Sequence, residues 1–493
     1  MNKRISLKLL SSAVMMAGLS GCATVPVNKK PIPVIPEADQ AQRTKVPEGR
    51  GAVEFYPVDE AMKNDDSRIS DVVVAYPALP IERLTPLFEL GDDFLGNGPI
   101  EPGIETPTGQ MLQPGFLLYG SLRTALQTFD NGFGSRTEQS NRIDLHGNLH
   151  LSGTERVVIS FRPLDRESGQ YTGYDFDHSN DDWHDEFNGK VTRLFFEGEF
   201  GEIFPRLDPT DSGTLDWGFS VGRQPITLQD GILLNDTVDL FGVTRNSLIG
   251  DSIPNLRFTG IFGWNQVSRS NTFRDDTARL YGLLVEADTG WDSTMSLDMI
   301  YVDDNIDTGA WYIGSGSTQR IGTLNSTFRV NASIPKDNES LAVDSGVILS
   351  AELSQTLHNS DNLVYLNTYW SIDHFTPAAR SMDAGLPIAN LGLLYSPVGM
   401  GRYAVPLGQS IIDTFGTSLG YQMYLGGIRK QLIVEIGART STESDADEDA
   451  YGIALRYQQA FGQRYLLRLD AFAADGQNRD TAHGARVELM VKF

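Results

Sequence analysis

Cysteine, long apolar runs and positive charge are all scarce in this chain of 493 residues. Cys22 is the only cysteine, so no disulfide can form within the chain. Beyond the N-terminus, no apolar run reaches the roughly 20 residues that a membrane-spanning helix needs. Asp and Glu number 64 against 40 Lys and Arg, which leaves no basic footprint for nucleic acid. These absences argue against a helical membrane protein, a disulfide-rich domain and a nucleic-acid-binding protein.

The chain contains instead a two-residue alternation of apolar and polar side chains, which runs from Phe116 to the C-terminus. Successive side chains of a strand point to opposite faces, so this alternation predicts strands with one apolar and one polar face. The mean hydropathy of −0.23 fits a transmembrane barrel, because half of each strand faces water. In the last nine residues, one face carries Ala485, Val487, Leu489, Val491 and Phe493.

The predicted fold is all-β: a closed antiparallel transmembrane β-barrel of about 18 strands, with a range of roughly 16 to 18. The last strand, which ends the chain on an aromatic residue, resembles the closing strand of bacterial outer-membrane barrels. A soluble β-sandwich, whose strands also alternate, is the alternative.

The links between strands support this count, because such barrels have short periplasmic turns and long extracellular loops. The short links near 153–154, 426–427 and 462–463 are predicted to be periplasmic. Their alternation with long links requires one extra strand between Arg223 and Asn255, and 237–246 is the candidate. The long acidic links, predicted to be extracellular, are 165–188, 265–277, 333–343, 372–415, 440–449 and 475–482.

The N-terminus has the pattern of a targeting segment, with basic residues at the start of the apolar stretch 9–19. The sequence Leu-Ser-Gly-Cys at 19–22 resembles the lipobox of bacterial lipoproteins, which predicts lipidation of Cys22; an ordinary signal peptide is the alternative. We therefore expect a signal peptide at 1–21, a lipidated Pro-rich tether at 22–50, a periplasmic or plug segment at 51–110 and the barrel at 111–493. The expected location is the outer membrane of a Gram-negative bacterium, with the N-terminus in the periplasm.

Strand faces opposite the apolar ones would line a lumen, since a barrel of this size encloses an aqueous channel unless something plugs it. Arginine is frequent on those faces and is interspersed with carboxylates such as Asp144, Glu435 and Glu488. Arginine keeps its charge and donates two parallel hydrogen bonds to a carboxylate, so a series of arginines would guide an anionic solute. The alternative is that these arginines pair with carboxylates across the lumen. The predicted pore-lining residues are Arg123, Arg142, Arg156, Arg162, Arg193, Arg223, Arg257, Arg329, Arg439, Arg456, Arg468 and Arg486.

A family resemblance rests on two adjacent stretches, WGFSVGRQPITLQDG at 217–231 and DTVDLFGVTR at 236–245. Together they resemble a segment of alginate-export-type porins. The resemblance implies an arginine-rich lumen that passes an anionic polysaccharide, with Arg223 and Gln224 at its constriction. In a regular strand Arg223 would face lipid, so that role requires a bend or a position at the rim.

One acidic loop offers oxygen ligands for a hard cation such as Ca²⁺, which would bridge to lipopolysaccharide phosphates; a solvated loop is the alternative. The candidate ligands are Asp175, Asp177, Asp181 and Asp182. No catalytic site is expected, because the adjacent side chains of His178 and Ser179 would diverge in an extended chain. No cofactor is expected either.

The sequence therefore predicts an outer-membrane channel for hydrophilic, anionic solutes or polysaccharide. Its expected partners are membrane lipid, lipopolysaccharide and the solute. The alternative is a lipid-anchored barrel that serves as a scaffold for a periplasmic or surface protein. The width of the pore depends on whether the links at 225–236 and 372–415 fold inward.

Overall fold

The computed structural model describes most of the chain after residue 83. The described residues are 84–91, 103–165, 171–176, 182–210, 212–250, 253–269, 274–290, 292–303, 309–337, 342–408, 411–443 and 449–493. The predicted signal peptide, Cys22 and the tether lie outside these ranges, as does most of the segment 51–110.

Eighteen long strands pair antiparallel with their neighbours in chain order, and the last pairs with the first, so the sheet closes into a barrel. The first nine are β1 (Gly115–Asp130), β2 (Ser135–His150), β3 (Arg156–Phe161), β4 (Val191–Glu199), β5 (Gly218–Leu228), β6 (Leu234–Leu248), β7 (Asn255–Asn265), β8 (Arg279–Thr289) and β9 (Ser293–Asp303). The others are β10 (Ala310–Ile321), β11 (Leu324–Pro335), β12 (Gly346–Thr356), β13 (Leu363–Asp373), β14 (Thr414–Tyr424), β15 (Lys430–Ser441), β16 (Ala450–Phe461), β17 (Tyr465–Gly476) and β18 (Ala482–Lys492).

The predicted strand count is confirmed, and the extra strand expected near 237–246 is β6. Gly115 and Phe493 lie at one end of the barrel, called the terminal rim; the opposite end is the loop rim. The short links predicted near 153–154, 426–427 and 462–463 all lie at the terminal rim, and the six long links predicted as extracellular all lie at the loop rim. One long link, 200–217, departs from this division and lies at the terminal rim.

The two faces of the wall differ in exposure as the alternation predicts. In β18, Val487 is 50% exposed, whereas its neighbours Arg486 and Glu488 are 2% and 1% exposed inside the barrel. On the outer face of β7–β10, directly opposed aromatic residues form a row towards the loop rim. Its rings are Phe262, Tyr281, Tyr301 and Trp311, with centroids 5.3, 6.4 and 4.9 Å apart in that order. Such rows mark the interface of a membrane with water in barrels of this kind.

Short elements complete the described part of the chain. One helix (Phe200–Ile203) and three 3₁₀ turns (Pro205–Leu207, Gln229–Gly231 and Met382–Ala384) lie in the links. The short strands are Phe88–Leu90, Ile104–Glu105, Met111–Leu112, Thr172–Asp175, Asp182–His184, Val267–Ser268, Arg274–Asp275 and Ala379–Arg380.

None of the helices among the described residues is both long and apolar enough to span a membrane.

The described parts of the segment 51–110 lie along the terminal rim. The strand Phe88–Leu90 pairs with β1 at Phe116–Leu118 and so extends the wall. Further along, Arg206 of the link 200–217 forms an ion pair with Glu105, 2.7 Å from Nη2 to Oε1, and donates to the carbonyl of Pro107 at 2.7 Å. These residues therefore contact the rim of the barrel.

Two links at the loop rim fold into the barrel, as the sequence left open. They are the short link 229–233 and the long link 374–413. Most of their apolar side chains are buried against each other and against the inner wall, which places an apolar core inside the barrel near the loop rim. This core includes Ile232, Leu233, Leu234, Ile388, Leu391, Leu394 and Leu407.

Candidate functional site: the lumen

The long link 374–413 covers one side of the inner wall, called here the covered arc and formed by β15–β18, β1 and β2. Arg123 on β1 donates from Nη2 to the carbonyl of Val398 at 3.1 Å. Arg142 on β2 donates from Nη1 to the carbonyl of Gly399 at 2.7 Å. On β15, the carboxylate of Glu435 accepts the backbone N–H of Leu394 at 2.8 Å. Wall side chains thus hold the link by its backbone.

Beneath the link, arginines and carboxylates of the covered arc form a continuous buried network. Arg456 and Arg486 both donate to Asp470, at 2.5 and 2.6 Å, because strand register places the three residues opposite one another. Glu488 accepts from Arg123 at 2.8 and 3.0 Å. Glu488 also lies 3.8 Å from Arg468 and forms an ion pair with Arg486. The side chain of Arg486 is fully buried, so this network is closed to a passing solute.

A second cluster joins the long link to the link 162–190. Asp144 on β2 accepts from Arg142 at 2.8 Å and from Arg162 at 3.2 Å. Arg162 also donates to Asp383 of the long link at 2.8 Å and lies 3.5 Å from Asp165. Burial raises the pKa of Asp165 to about 6, although Arg162 opposes this shift.

The opposite side of the inner wall, formed by β3–β12 and called the open arc, borders a cavity of about 760 Å³. Gln229 of the short link spans the cavity's upper end and donates from Nε2 to Asp298 on β9 at 2.8 Å. The arc carries three arginine–carboxylate pairs, and the first two of them are more exposed than those of the covered arc. They are Arg156–Glu197, Arg257–Glu286 at 2.8 Å and Arg329–Glu352.

Arg193 on β4 differs from the other predicted pore-lining arginines because it is exposed and has no ion-pair partner among the described residues. Strand register places it opposite Ser160, which in turn lies opposite His146. His146 Nδ1 is 2.8 Å from Ser160 Oγ, and its ring is 5.4 Å from that of Tyr119. The carboxylates nearest along the strands, Asp144 and Glu197, are each held by an arginine. Arg193 therefore contributes an uncompensated positive charge to the lumen.

Arg223 is the one predicted pore-lining arginine that the structure places on the outer face. Its neighbour of the same parity, Val221, is 38% exposed outside the barrel. Arg223 lies opposite Asp239 and donates to it at 2.8 and 3.2 Å, and Asn265 donates to the same carboxylate at 2.8 Å. The strand does not bend at this point, so the parity of a regular strand holds and Gln224, not Arg223, borders the cavity.

Ten of the other eleven predicted arginines point inward from strands. The eleventh, Arg162, directly follows β3 at the loop rim. These eleven arginines separate into buried side chains of the covered arc, such as Arg439 at 2% exposure, and accessible ones of the open arc. Sequence alternation identified the face but gave no sign of this division, because the long link that creates it has no periodic pattern.

The pairing of His146 with Ser160 was not anticipated, because the two residues come from different strands. Such cross-strand pairs depend on register, which the geometry of the turns sets together with the alternation of each strand. Ser160 is fully buried, so a solute in the lumen does not reach its hydroxyl.

The candidate cation ligands remain largely outside the described part of the chain. Asp177 and Asp181 are not described, and neither is the side chain of Asp182. Asp175 is buried, and its carboxylate lies 3.8 Å from Arg136. Within the described ranges no group of three or more His, Cys, Asp or Glu residues is placed to hold a metal ion.

Comparison with solved structures shows that the chain has the fold of outer-membrane porins. A BenF-like porin from Pseudomonas fluorescens Pf-5 matches with a TM-score of 0.53 at 11% identity, over 77% of this chain and 98% of that one. Pseudomonas aeruginosa OccK2 (OpdF), solved in complex with glucuronate, matches with a TM-score of 0.51 at 11% identity, over 77% of this chain and 98% of that one. Acinetobacter baumannii OccAB4 matches with a TM-score of 0.51 at 10% identity, over 79% of this chain and 100% of that one. No protein-family model and no curated protein matches the chain. At these identities the likeness concerns the fold alone.

Proposed function

We propose that this protein is an outer-membrane channel for small hydrophilic solutes, with a preference for anions. The observation that carries the proposal is the charged cavity of about 760 Å³ inside a closed barrel of eighteen strands. Ligand sites of this size commonly hold small molecules, with a few charged groups that fix orientation. The proposal includes no catalytic step and no cofactor.

The preference for anions rests on Arg193, since the arginines beneath the long link and the three pairs of the open arc are already neutralised by carboxylates. Arg193 supplies a free guanidinium, which binds a carboxylate through two parallel hydrogen bonds. At the edge of the covered arc, the unengaged ring nitrogen of His146 and the hydroxyl of Tyr119 continue the cross-strand row that begins with Arg193, at a spacing of roughly 5 Å per strand. Tyr119 is 44% exposed, so its hydroxyl is accessible from the lumen.

We infer a small solute rather than an alginate-like polymer, because two inward links narrow the lumen near the loop rim. OccK2, which shares the fold, was solved with glucuronate, a single uronate unit. A hydroxylated carboxylate of that size fits a row with one free cation and neighbouring hydrogen-bonding groups. Polymer transport would require a longer series of free arginines than the open arc offers.

The orientation and the lipid anchor belong to the same proposal. Most short links and both ends of the barrel wall lie at the terminal rim, which supports placing that rim in the periplasm. Lipidation of Cys22 would then anchor the tether to the inner leaflet of the outer membrane. The outer aromatic row supports contact of the wall with lipid, and lipopolysaccharide is the expected neighbour at the loop rim.

The test is conductance of the full-length protein in planar bilayers, with ion preference measured as a reversal potential in a KCl gradient. Arg193→Gln should lower the anion-to-cation permeability ratio by about twofold, because it removes a guanidinium that no carboxylate neutralises. Arg223→Gln makes the same chemical change on the outer face and should leave the ratio at its wild-type value. Equal ratios in all three proteins would contradict the anion preference.

The scaffold alternative gains some support from the long link, which occupies much of the lumen. It predicts a closed barrel at all voltages and a periplasmic or surface protein that copurifies in detergent. Absence of conductance together with such a partner would replace the channel proposal.

A further inference from the structure

The two inward links meet at Arg380, which is 5% exposed. Arg380 belongs to the long link 374–413, in a short strand that pairs in parallel with the start of β6. Its guanidinium donates only to backbone carbonyls: Ala384 at 2.9 Å, Gly385 at 2.5 Å, Leu386, and Gly231 of the short link. One side chain thus holds a turn of its own link and the tip of the other.

The charge of Arg380 has no carboxylate partner in the described part of the chain. Burial lowers its pKa to about 10, so the group stays protonated at neutral pH. Hydrogen bonds that involve a charged group are about twice as strong as neutral ones. The guanidinium is buried and is balanced only by carbonyl dipoles, so losing one of these acceptors would cost free energy. The contact between the links is therefore strong as long as all four acceptors are in place.

The conformation of the short link is strained and is held in place by this contact. Gln229, Asp230 and Gly231 have φ values of 51°, 56° and 82°, and left-handed conformations of non-glycine residues cost energy. Beyond Arg380, the links are joined by Ala378 N–H to Leu233 O at 2.8 Å and by Asn390 Nδ2 to Asp230 O at 2.6 Å. From its tip, Gln229 reaches across to Asp298 on the far wall.

We propose that Arg380 is the positioning residue that fixes the width of the lumen, by holding the links 229–233 and 374–413 together as one rigid constriction. The inference rests on the proposed channel function, which it extends from the charge of the solute to its size. Arg380 itself lies too deep to contact a solute. Its effect is on the position of Gln229, which borders the cavity, and of the long link, which covers the opposite side of the wall.

The first test compares Arg380→Ala with Arg223→Ala, which removes an arginine from the outer face. In Arg380→Ala, the backbone amides of Ala378 and Ser381, which bind the short link and β6, should exchange hydrogen at least about tenfold faster than in the wild type. Single-channel conductance should rise, and larger neutral sugars should pass. Arg223→Ala should change neither exchange at these amides nor conductance.

The second test replaces the hydrogen bonds with a covalent link. Asn235 and Arg380 are paired residues of the parallel strands, and such neighbours lie at a Cα spacing that a disulfide accommodates. The double variant Asn235→Cys with Arg380→Cys should show wild-type conductance when oxidised and the raised conductance when reduced. Arg380→Cys alone should stay in the raised state under both conditions.

The outcomes separate this inference from the channel proposal. Faster exchange in Arg380→Ala, with a wild-type protein that never conducts, would support the clamp and overturn the channel function. A conducting wild type with unchanged exchange and conductance in Arg380→Ala would overturn the clamp alone. If Arg380→Ala fails to fold, the oxidised double variant still decides, because a redox-independent conductance there would also refute the clamp.

Discussion

The covered arc and the open arc of the inner wall use the same residue types in opposite ways. In the covered arc, Arg486 is fully buried between Asp470 and Glu488, under the long link. In the open arc, Arg257 and Glu286 are 46% and 40% exposed and border the cavity. The difference shows that a charged residue on a lumen face has no fixed role: whether a link covers it decides between a structural and a solute-facing one.

The physical reason is the dielectric environment of each arc. Exposed ion pairs contribute little to stability because water screens them, whereas a buried charge that loses its partner is strongly destabilising. The covered arc therefore works as the attachment surface of the link. Selectivity is left to the open arc, where charges still interact with ions in the lumen.

The largest expected effect comes from removing a charge from the covered arc. Arg486→Met should lower the free energy of unfolding by about 3 kcal/mol, because two buried carboxylates each lose a partner. The effect should lie at the lower end of the range for buried pairs, since Arg456 remains for Asp470 and Arg123 for Glu488. Urea titration of the barrel in lipid vesicles measures it.

Arg257→Met is the matched change in the open arc and should cost less than about 1 kcal/mol. Similar losses in the two variants would show that burial under the long link does not distinguish the arcs.

Much of this fold could be predicted from the sequence, because period-two alternation is a local property. It predicted about eighteen strands and placed eleven of the twelve arginines on the inward side, but Arg223, whose parity is outward, was still predicted to line the pore. The division into arcs could not be predicted, because it depends on where the link 374–413 docks. That docking is decided by backbone carbonyls that accept from Arg123, Arg142 and Arg380, and carbonyls leave no trace in a sequence.

A smaller effect is expected at Asp165, in the link 162–190 that Arg162 joins to the long link. Its pKa of about 6 in the folded protein lies above the ordinary 3.8, so the fold favours the protonated carboxyl. The stability of this region is therefore greatest below about pH 4 and falls as the pH rises through about 6, and about 1–2 kcal/mol of it is lost between pH 5 and pH 7.5. The protection factors of amides in the link, which correct for the base catalysis of exchange, should be higher at pH 5 than at pH 7.5.

Asp165→Asn should remove this pH dependence, because the amide does not titrate. One oxygen of Asp165 has no hydrogen-bond partner among the described residues, so the neutral side chain is tolerated there. Asp208→Asn, at an exposed site of the terminal rim, should leave the pH dependence intact. If the stability of the link still depended on pH in Asp165→Asn, a group other than Asp165 would be the one that titrates.

The smallest effect is expected from reversing an ion pair of the open arc. Exchanging Arg257→Glu with Glu286→Arg keeps an opposed pair on β7 and β8, and both side chains remain in water. Unfolding free energy should change by less than about 1 kcal/mol, and KCl conductance should stay near the wild-type value. The same exchange in the covered arc, Arg123→Glu with Glu488→Arg, is not neutral, because Arg123 also donates to Val398 of the long link and a carboxylate would repel that carbonyl. Tolerance of the second exchange, with the long link as protected from proteolysis as in the wild type, would mean that charge pairing rather than backbone attachment holds the link in place.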